Sequence, residues 1–568
     1  MQKILLSLVA VALLLAPAGQ TTAEELKPLV TVSFAGYDKA LESLGTLGQV
    51  AGDPQLASKL EMILKAMTQG KGLTGLDTKR PWAVVAFWDG NQPVVYGFLP
   101  VSDLKQLIEA AKSNPGLAEQ ITENNGVYQI QAGPQAIYIK QKDSWAVVTN
   151  ESENLDKAPA DPTTFLGDLP TRYALAAQLT LANLPDQYRE QFLAQVRAGM
   201  EAGMAQMPNE TDAQYAARVF YAKQLIEQVN AVVTDAESVL LGWAVDSTNN
   251  STHLDLEFTA KAGTKLAERL ALVKPGQSDF AGFLLPDAAV RISQVQTLTD
   301  ADVTQAKSAL AVMRKSMLDN LQNELAKNKQ GAKKFDPKVL EGLVNDAFDV
   351  LDKTIETKKK DVGMSVVLDP KATTLVLGSA IAEGEKLQDV LKRFVDEAVK
   401  ANPEAAKQVE YQFNAETYEG FRLNTFSIVN PSPKFAELVG ERVELVVAIA
   451  NDKMAVSAGR DAMKALKTAI DQSKAKAGTE VLPLEFSISA TPLAKFVASV
   501  ADVEQAKAAA TLLATTLEKS GGKDRLLLTV RPITQGLRIR VELEEGILKA
   551  MGLLAQLRQA GAVTPPGE

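Results

Sequence analysis

The sequence predicts an α+β protein built from tandem duplicated modules, in which antiparallel sheets pack against helices and long helical hairpins are inserted. A strand, a turn, a second strand and an abrupt switch to helix occur four times, with helix starts at Ser102, Gly263, Gly384 and Gly546. Ser102 and Gly384 lie 282 residues apart, and Gly263 and Gly546 lie 283 apart. A nearly constant offset of half a chain indicates duplication of one scaffold.

The strands of these units show two patterns. His253–Thr259 and Arg538–Glu544 alternate apolar and charged residues with a period of two, which is typical of antiparallel strands with one face in water. Val84–Phe87 is uniformly apolar and predicts a strand in the middle of a sheet. Asn249–Thr252 has the composition of a hairpin turn, so His253, the single histidine, is expected to lie exposed at a loop end.

Helices fill the segments between the strands. Apolar residues recur with helical spacing from Leu56 to Met67, and Ser102 is the expected N-cap of a helix over 103–112. Longer helical patterns are predicted at 186–206, 212–236, 302–328, 337–360 and 500–519. Those at 302–328 and 337–360 are expected to form an antiparallel hairpin.

Proline-rich stretches and composition shifts divide the chain. The densest is 159–170, with three prolines in twelve residues. The predicted organisation is a signal peptide at 1–23, a first module at 24–160, a second at 170–274, a third at 280–475 that repeats the first, a fourth at 483–560 that repeats the second, and a disordered tail at 561–568.

The first residues carry an export signal. Lys3 precedes the apolar run Ile4–Leu15, and small residues lead to a cleavage position near Ala23. The run is too short to cross a bilayer, which needs about 20 apolar residues, and no later segment reaches that length without charges. We therefore expect an exported protein of the periplasm or the extracellular space, with no transmembrane segment in the mature chain.

Composition excludes several classes of function. The 568 residues carry a formal net charge of −9, and no basic stripe of the kind that binds nucleic acid is visible. The chain has no cysteine, which removes disulfides, thiol nucleophiles and thiolate metal sites. One histidine is too few for a histidine-based zinc site, and no serine elbow accompanies it. No catalytic, cofactor or metal site is predicted.

Two other patterns have residue types that catalytic or binding sites use. Asp346, Asp349 and Asp352 are spaced to share one helix face, but nearby Lys353 and Lys358 indicate a solvated, ion-paired surface. Gly70–Gly75 resembles a phosphate loop without the required Lys-Ser/Thr, so it is interpreted as a connector.

Aromatic residues offer the one candidate ligand surface. Trp82, Trp88 and Tyr96 crowd one predicted hairpin, and Trp145 lies in the adjoining strands. Such side chains form platforms for carbohydrate or peptide ligands, although core packing explains most aromatic residues equally well.

The stretches Gly75–Trp82 and Leu99–Leu104 resemble a pattern found in uncharacterised exported proteins of planctomycete-type bacteria. The resemblance covers mainly the first module. It implies bacterial export and a non-catalytic role, and it supplies no site residues.

Three hypotheses of function follow. The leading one is a non-enzymatic exported protein with a binding or structural role, whose partner is a protein or another component of the cell envelope. The first alternative is a carrier that holds an apolar or lipid-like ligand between a sheet and its helices, which an apolar cavity would favour. The second is a carboxylate-dependent hydrolase, which needs two acids about 5–10 Å apart in one cleft.

Overall fold

The computed structural model describes residues 26–559, apart from 91, 134, 209, 211, 328–334, 370–372, 430–435 and 437–439. The predicted signal peptide and the predicted C-terminal tail lie outside the described residues. The described part contains many helices and antiparallel strands, so the predicted α+β class is confirmed.

The strands, numbered in chain order, are β1 (Lys27–Phe34), β2 (Trp82–Trp88), β3 (Pro93–Pro100), β4 (Ile121–Asn124), β5 (Val127–Ala132), β6 (Gln135–Lys142), β7 (Trp145–Thr149), β8 (Leu175–Leu179), β9 (Ala236–Asp246), β10 (Ser251–Ala260), β11 (Gly276–Gln277), β12 (Val290–Thr297), β13 (Lys359–Val367), β14 (Thr374–Ala380), β15 (Val409–Tyr418), β16 (Phe421–Val429), β17 (Arg442–Ile449), β18 (Lys453–Gly459), β19 (Glu480–Val481), β20 (Leu484–Ser489), β21 (Arg525–Ile533) and β22 (Gly536–Leu543).

The helices are α1 (Tyr37–Ala51), α2 (Leu56–Met67), α3 (Leu104–Lys112), α4 (Pro115–Ala118), α5 (Asn154–Lys157), α6 (Thr163–Leu166), α7 (Leu169–Arg172), α8 (Asp186–Ala202), α9 (Asp212–Asp235), α10 (Lys265–Ala271), α11 (Asp300–Lys327), α12 (Pro337–Glu356), α13 (Gly384–Ala401), α14 (Pro403–Ala406), α15 (Ala462–Ala475), α16 (Ala490–Val500), α17 (Glu504–Glu518) and α18 (Glu545–Gln559).

The sequence patterns place most of these elements closely, with two corrections. The N-cap of α3 is Asp103, whose carboxylate accepts the amide hydrogen of Gln106 at 3.1 Å, so the prediction of Ser102 was wrong by one position. The single helix predicted at 500–519 is wrong in its start, because α16 ends at Val500 and a separate helix begins at Glu504.

The chain divides into two compact units. Unit 1 contains residues up to 190 together with 234–261 and everything from 540 onward, and unit 2 contains 191–233 and 262–539. Each unit therefore draws on distant parts of the chain. The module boundaries predicted from the sequence follow chain order instead, and they remain predictions.

In unit 1 the strands pair antiparallel in the order β4-β5-β6-β7-β3-β2-β1-β8-β9-β10. Helix α3 lies on one face of β3 and β7, where Leu104 and Ile108 join a core with Val95 and Ala146. The segment 155–166 covers the other face through Leu155, Ala158 and Leu166, which pack against the core of β2, β3 and β7.

In unit 2 the strands pair antiparallel in the order β15-β16-β17-β18-β14-β13-β12-β20-β21. This nine-strand order matches that of β4 through β9 in unit 1, strand for strand. The core contains Phe280 and Phe283, and a Cβ at Gly378 would lie 2.2 Å from the Phe280 ring. The shared strand order supports the duplication, which stays a proposal.

The last helix of unit 1 packs directly on its first helix. A Cβ at Gly552 of α18 would lie 1.8 Å from the carbonyl oxygen of Ala51, the final residue of α1. Gln556 Nε2 donates to the carbonyl oxygen of Gly52 at 3.3 Å. The two helices can approach this closely only because Gly552 has no side chain.

Gly552→Ala is expected to lower the free energy of unfolding by about 1–3 kcal/mol, because the added methyl group has no room without movement of the helices. The matched control is Gly342→Ala in α12, where a Cβ meets open space. That change removes a helix-interior glycine and should raise stability by about 1 kcal/mol. Urea unfolding measures the free energy of unfolding of both variants. If both variants are destabilised, or both are stabilised, the close packing of α18 on α1 is contradicted.

Candidate functional site

The central strands of unit 1 carry one entirely apolar face. Registers among β2, β1, β8, β9 and β10 align their side chains in three rows that cross all five strands. We call this surface the apolar face. Its rows are Trp82–Phe34–Leu175–Trp243–Leu254, Val84–Val32–Ala177–Leu241–Leu256 and Ala86–Val30–Leu179–Val239–Phe258.

The opposite side of the same strands, which we call the inner face, is polar in part and almost entirely buried. Asp255 has no exposed surface and Glu257 is 7% exposed. The inner face consists of the rows Ala83–Ser33–Ala176–Gly242–Asp255 and Val85–Thr31–Gln178–Leu240–Glu257. All of these residues are buried except Gln178, which is half-buried.

The apolar face is open to solvent at its leucines. The exposed fraction is 38% for Leu175, 37% for Leu179, 46% for Leu241 and 43% for Leu254. The alternation along residues 253–259 predicted that the charged residues would face water, and that prediction was wrong. The acids face inward and the leucines face outward.

Buried ion pairs explain why the acids can face inward. The Arg540 guanidinium donates to both carboxylate oxygens of Asp255, from Nε at 2.7 Å and from Nη2 at 2.8 Å. The Tyr173 hydroxyl lies 2.9 Å from Asp255 Oδ2 and 3.1 Å from Glu257 Oε1, and Arg172 pairs with Glu257. Each buried charge therefore has an opposite charge and hydrogen bonds, which burial requires.

The backbone of β9 makes room for this network. A Cβ at Gly242 would lie 2.6 Å from the Tyr173 ring, so only glycine lets the ring lie flat on the sheet. Arg172 stacks over the same ring at 4.7 Å from its centroid. The ring thus fills the inner face beneath the two carboxylates, and no space remains there for a ligand.

The network sets the ionisation of its members. Burial pushes the pKa of Asp255 upward, but the hydrogen bonds and charge of Arg540, together with the Tyr173 hydroxyl, hold the pKa below its usual value. Burial and the neighbouring carboxylates raise the pKa of the Tyr173 phenol. Asp255 is therefore ionised and Tyr173 is a neutral hydrogen-bond donor at neutral pH.

His253 does not lie at a loop end. It is the third residue of β10 and is half-buried, so the expectation of an exposed turn residue was wrong. Burial, and then the charge of Arg540, lower the pKa of its imidazole. The turn composition of the preceding residues misled the assignment, because β10 begins at Ser251, inside that segment.

The two inner carboxylates lie together, as the hydrolase hypothesis requires, but they lack its cleft. Asp255 and Glu257 converge on one hydroxyl group, that of Tyr173. A glycosidase needs acids that face a substrate and an attacking water. These oxygen atoms accept from arginine and tyrosine inside the core instead, so this pair offers no site for hydrolysis.

The four predicted aromatic residues do not form one surface. Trp82 belongs to the apolar face, and Trp88 follows it along β2 on the same side, in edge contact with Tyr188 at 5.1 Å. Tyr96 and Trp145 lie on the opposite side and are buried, with 1% and 3% exposure. A ligand surface of all four is therefore wrong. The alternation of β3 and β7 sends Tyr96 and Trp145 into the core.

The acidic helix face at 346–352 lies in unit 2 and is fully ion-paired. Arg314 contacts Asp349 at 2.8 Å and Asp352 at 3.1 Å, and Lys386 contacts Asp346 and Asp349 at 3.3 and 2.9 Å. The sequence indicated Lys353 and Lys358 as the partners. In the structure the partners come from helices α11 and α13 instead. A hydrogen bond from Arg393 of α13 lowers the pKa of Asp346, and the one from Lys386 lowers the pKa of Asp349.

An open depression of about 380 Å³ lies beside this helix, lined by Ala311, Arg314, Lys315, Leu318, Asp319, Gln322 and Asp352. Five of its seven lining residues are charged or polar and it is open to solvent, so it is not the enclosed apolar cavity that the carrier hypothesis asked for. Within the described residues, no group of three acidic or histidine side chains is arranged to hold a metal ion. No helix in this part of the chain is both long and apolar enough to cross a membrane.

Comparisons with known proteins do not add to this picture: no family model, no curated protein and no solved structure matches the chain. The candidate site therefore depends on the geometry alone. Sequence reasoning missed it because the alternation along 253–259 was interpreted as placing the charged residues of that strand in water. The available signal was that alternate residues of β10, Asp255 and Glu257, are acids, whereas the residues opposite them on β9, Gly242 and Leu240, are uncharged.

Asp255→Asn is expected to lower the free energy of unfolding at pH 7 by about 3 kcal/mol, because it leaves the half-buried Arg540 without an opposite charge. The native carboxylate has a lowered pKa, so its contribution is present above about pH 4, the ordinary aspartate value, and is lost as the pH falls through the native pKa. Wild type and variant should therefore converge in acid.

The control is Asp53→Asn, which removes an exposed pair with Lys59 at 2.7 Å and should leave the urea midpoint nearly unchanged. If Asp255→Asn behaves like the control, or if its effect persists unchanged in acid, the inner network does not hold the sheet as described.

Proposed function

We propose that this protein is an exported, non-enzymatic binding protein that holds an apolar ligand on the apolar face of unit 1. The observation that carries the proposal is the exposure of Leu175, Leu179, Leu241 and Leu254 on one side of a sheet whose acids are buried on the other. Large exposed apolar patches in water-facing proteins mark sites for ligands or partners.

The size of the surface supports a moderate affinity. Covering the exposed parts of four leucines contributes about 1 kcal/mol each, or about 4 kcal/mol together, which alone corresponds to a dissociation constant of about 1 mM. The partly buried neighbours Trp243, Leu256 and Phe258, one from each row, offer further contact to a ligand that crosses the rows. Binding in the micromolar range therefore needs a ligand that spans several rows.

Export is supported by the sequence of the first residues, namely Lys3, the apolar run Ile4–Leu15 and the small residues before Ala23. An exported protein encounters apolar molecules of the cell envelope, and the open apolar face would bind them. The alternative occupant is an apolar segment of an envelope protein, which would also bind through the exposed apolar side chains of this face.

A non-enzymatic role is supported by the chemistry of the inner face. Asp255 and Glu257, the pair of acids considered for hydrolysis, form ion pairs with Arg540 and Arg172. The hydrolase hypothesis would require a different pair in an open cleft. The apolar face itself carries no acid, base or nucleophile among its fifteen side chains.

Leu241→Gln is expected to weaken binding of the neutral fluorophore N-phenyl-1-naphthylamine about five- to tenfold, because it places an amide in the middle row. Fluorescence titration of the full mature chain measures the dissociation constant. Leu241 is 46% exposed, so the change should leave the free energy of unfolding within about 0.5 kcal/mol of wild type.

The matched control is Met317→Gln on α11 of unit 2, a residue with 53% exposure, which should bind the fluorophore as wild type does. Equal affinities of the wild type and Leu241→Gln, or the absence of any binding by wild type, would contradict the proposed function.

A further inference from the structure

The last part of unit 1 is held to the sheet around His253, the single histidine of the chain. We call residues 540–559, the end of β22 together with α18, the C-terminal segment. We infer that His253 is an acid-sensitive latch, whose protonation in mildly acidic solution loosens the C-terminal segment from the rest of unit 1. The inference stands on the contacts around His253 and is independent of the proposed function.

The C-terminal segment enters unit 1 at Arg540, within β22. Strands β10 and β22 are hydrogen-bonded neighbours, and several polar side-chain contacts join the segment to one short stretch at the start of β10. These contacts are Arg540 to both oxygens of Asp255 at 2.7 and 2.8 Å, Ser251 Oγ to Glu542 Oε1 at 3.1 Å, and Asn250 Nδ2 to Glu545 Oε2 at 3.4 Å. The stretch that holds the beginning of the segment is therefore 250–255.

His253 stands in the middle of this stretch and on the same side of the strand. Successive side chains of a strand alternate between its faces, so Ser251, His253 and Asp255 all belong to the inner face. His253 is half-buried and lies opposite the buried Ala244 on β9. Its imidazole is thus flanked on both sides by residues that bind the C-terminal segment.

The charges around His253 do not provide a direct partner for an imidazolium ion. The charged and titratable groups of the elements that pack against it are Arg540 and Glu542 from β22, Asp255 and Glu257 from β10, Asp246 from β9, and Arg172 and Tyr173 at the end of α7. His253 forms no ion pair with any of them in the described part of the chain. Burial, and then the charge of Arg540, lower the pKa of the imidazole, so a proton at His253 is unfavourable while the segment is docked.

The carboxylates nearest to His253 are already engaged. Asp255 pairs with Arg540, and Asp246 accepts from the amides of Thr248 and Asn249 at 2.9 and 3.0 Å. A protonated His253 would therefore place a second positive charge beside the Arg540 guanidinium without a free acid to compensate it. Movement of the C-terminal segment away from β10 relieves this repulsion, because it removes Arg540 and lets water reach the imidazole.

The lowered pKa fixes the direction of the pH effect. When the segment is undocked, the imidazole returns toward its ordinary pKa of about 6.5. Above that pH His253 is neutral in both states, and docking is unaffected. As the pH falls below about 6.5, the undocked state binds the proton more strongly, so docking weakens until the native imidazole is protonated as well. The effect is complete above the ordinary range of carboxyl groups, about 4.

Hydrogen–deuterium exchange of the full mature chain at pH 7.5 and pH 5.0 tests the inference, with each rate divided by the intrinsic rate at that pH. The amides of α18 should lose at least about threefold of their protection at pH 5.0. The amides of α3, which packs on the core of β3 and β7, should keep theirs. An equal loss in α3 would overturn the inference, because it would mean that unit 1 unfolds as a whole.

Two substitutions separate the charge of His253 from its packing. His253→Gln cannot gain a proton, so the protection of α18 should change less than about twofold between the two pH values. His253→Lys carries the charge at both, so α18 should already have reduced protection at pH 7.5. A loss of protection in His253→Gln at pH 5.0 that equals the wild-type loss would overturn the inference.

A measurement on the wild type needs no variant and decides the case if His253→Gln loosens α18 even at pH 7.5. Because the chain has one histidine, histidine-labelled protein made without a histidine tag gives a single imidazole signal in nuclear magnetic resonance spectra. Its midpoint should lie below about 6.5, and α18 should lose protection over the same pH range. A midpoint at or above 6.5, or a loss of protection over a different range, would contradict the latch and leave the proposed function untouched.

Discussion

The bidentate pairing of Arg540 with Asp255 is the interaction on which the arrangement of unit 1 depends. Residues along a strand alternate strictly between two faces, so fixing one acid inward decides the direction of every neighbour on that strand. With Asp255 held inside by Arg540 and by Tyr173, Leu254 and Leu256 must point outward. The register then carries the same choice to Trp243, Leu241 and the strands beyond.

This pairing also ties distant parts of the chain together. Arg540 is 285 residues from Asp255, and the helix that follows it packs on α1 through Gly552. Unit 1 is thus complete only when the last part of the chain has been made and docked. Long-range closure of this kind costs conformational entropy that local contacts cannot offset, so the buried charge pair and the close helix contact must stabilise it.

The sequence predicted the elements better than their environments. Periodicity located α2 and the hairpin of α11 and α12, and alternation identified β10 as antiparallel. Alternation does not say which of two faces is covered, because that depends on partners such as Tyr173 and Arg540 that are distant in the chain. The same gap explains the aromatic residues: Trp82 and Tyr96 come from one hairpin, yet one lies on the apolar face and the other in the core.

The claim that the leucines face solvent and the acids face inward can be tested directly, because the chain has no cysteine and a single one can be introduced. Leu240 and Leu241 are adjacent on β9 and point to opposite faces, with exposures of 4% and 46%. In the native protein, a thiol reagent should modify the Leu241→Cys variant rapidly and the Leu240→Cys variant only at the rate of unfolding. Rapid modification at position 240 with protection at position 241 would contradict the account, because it would mean that the acids face water and the leucines form the core.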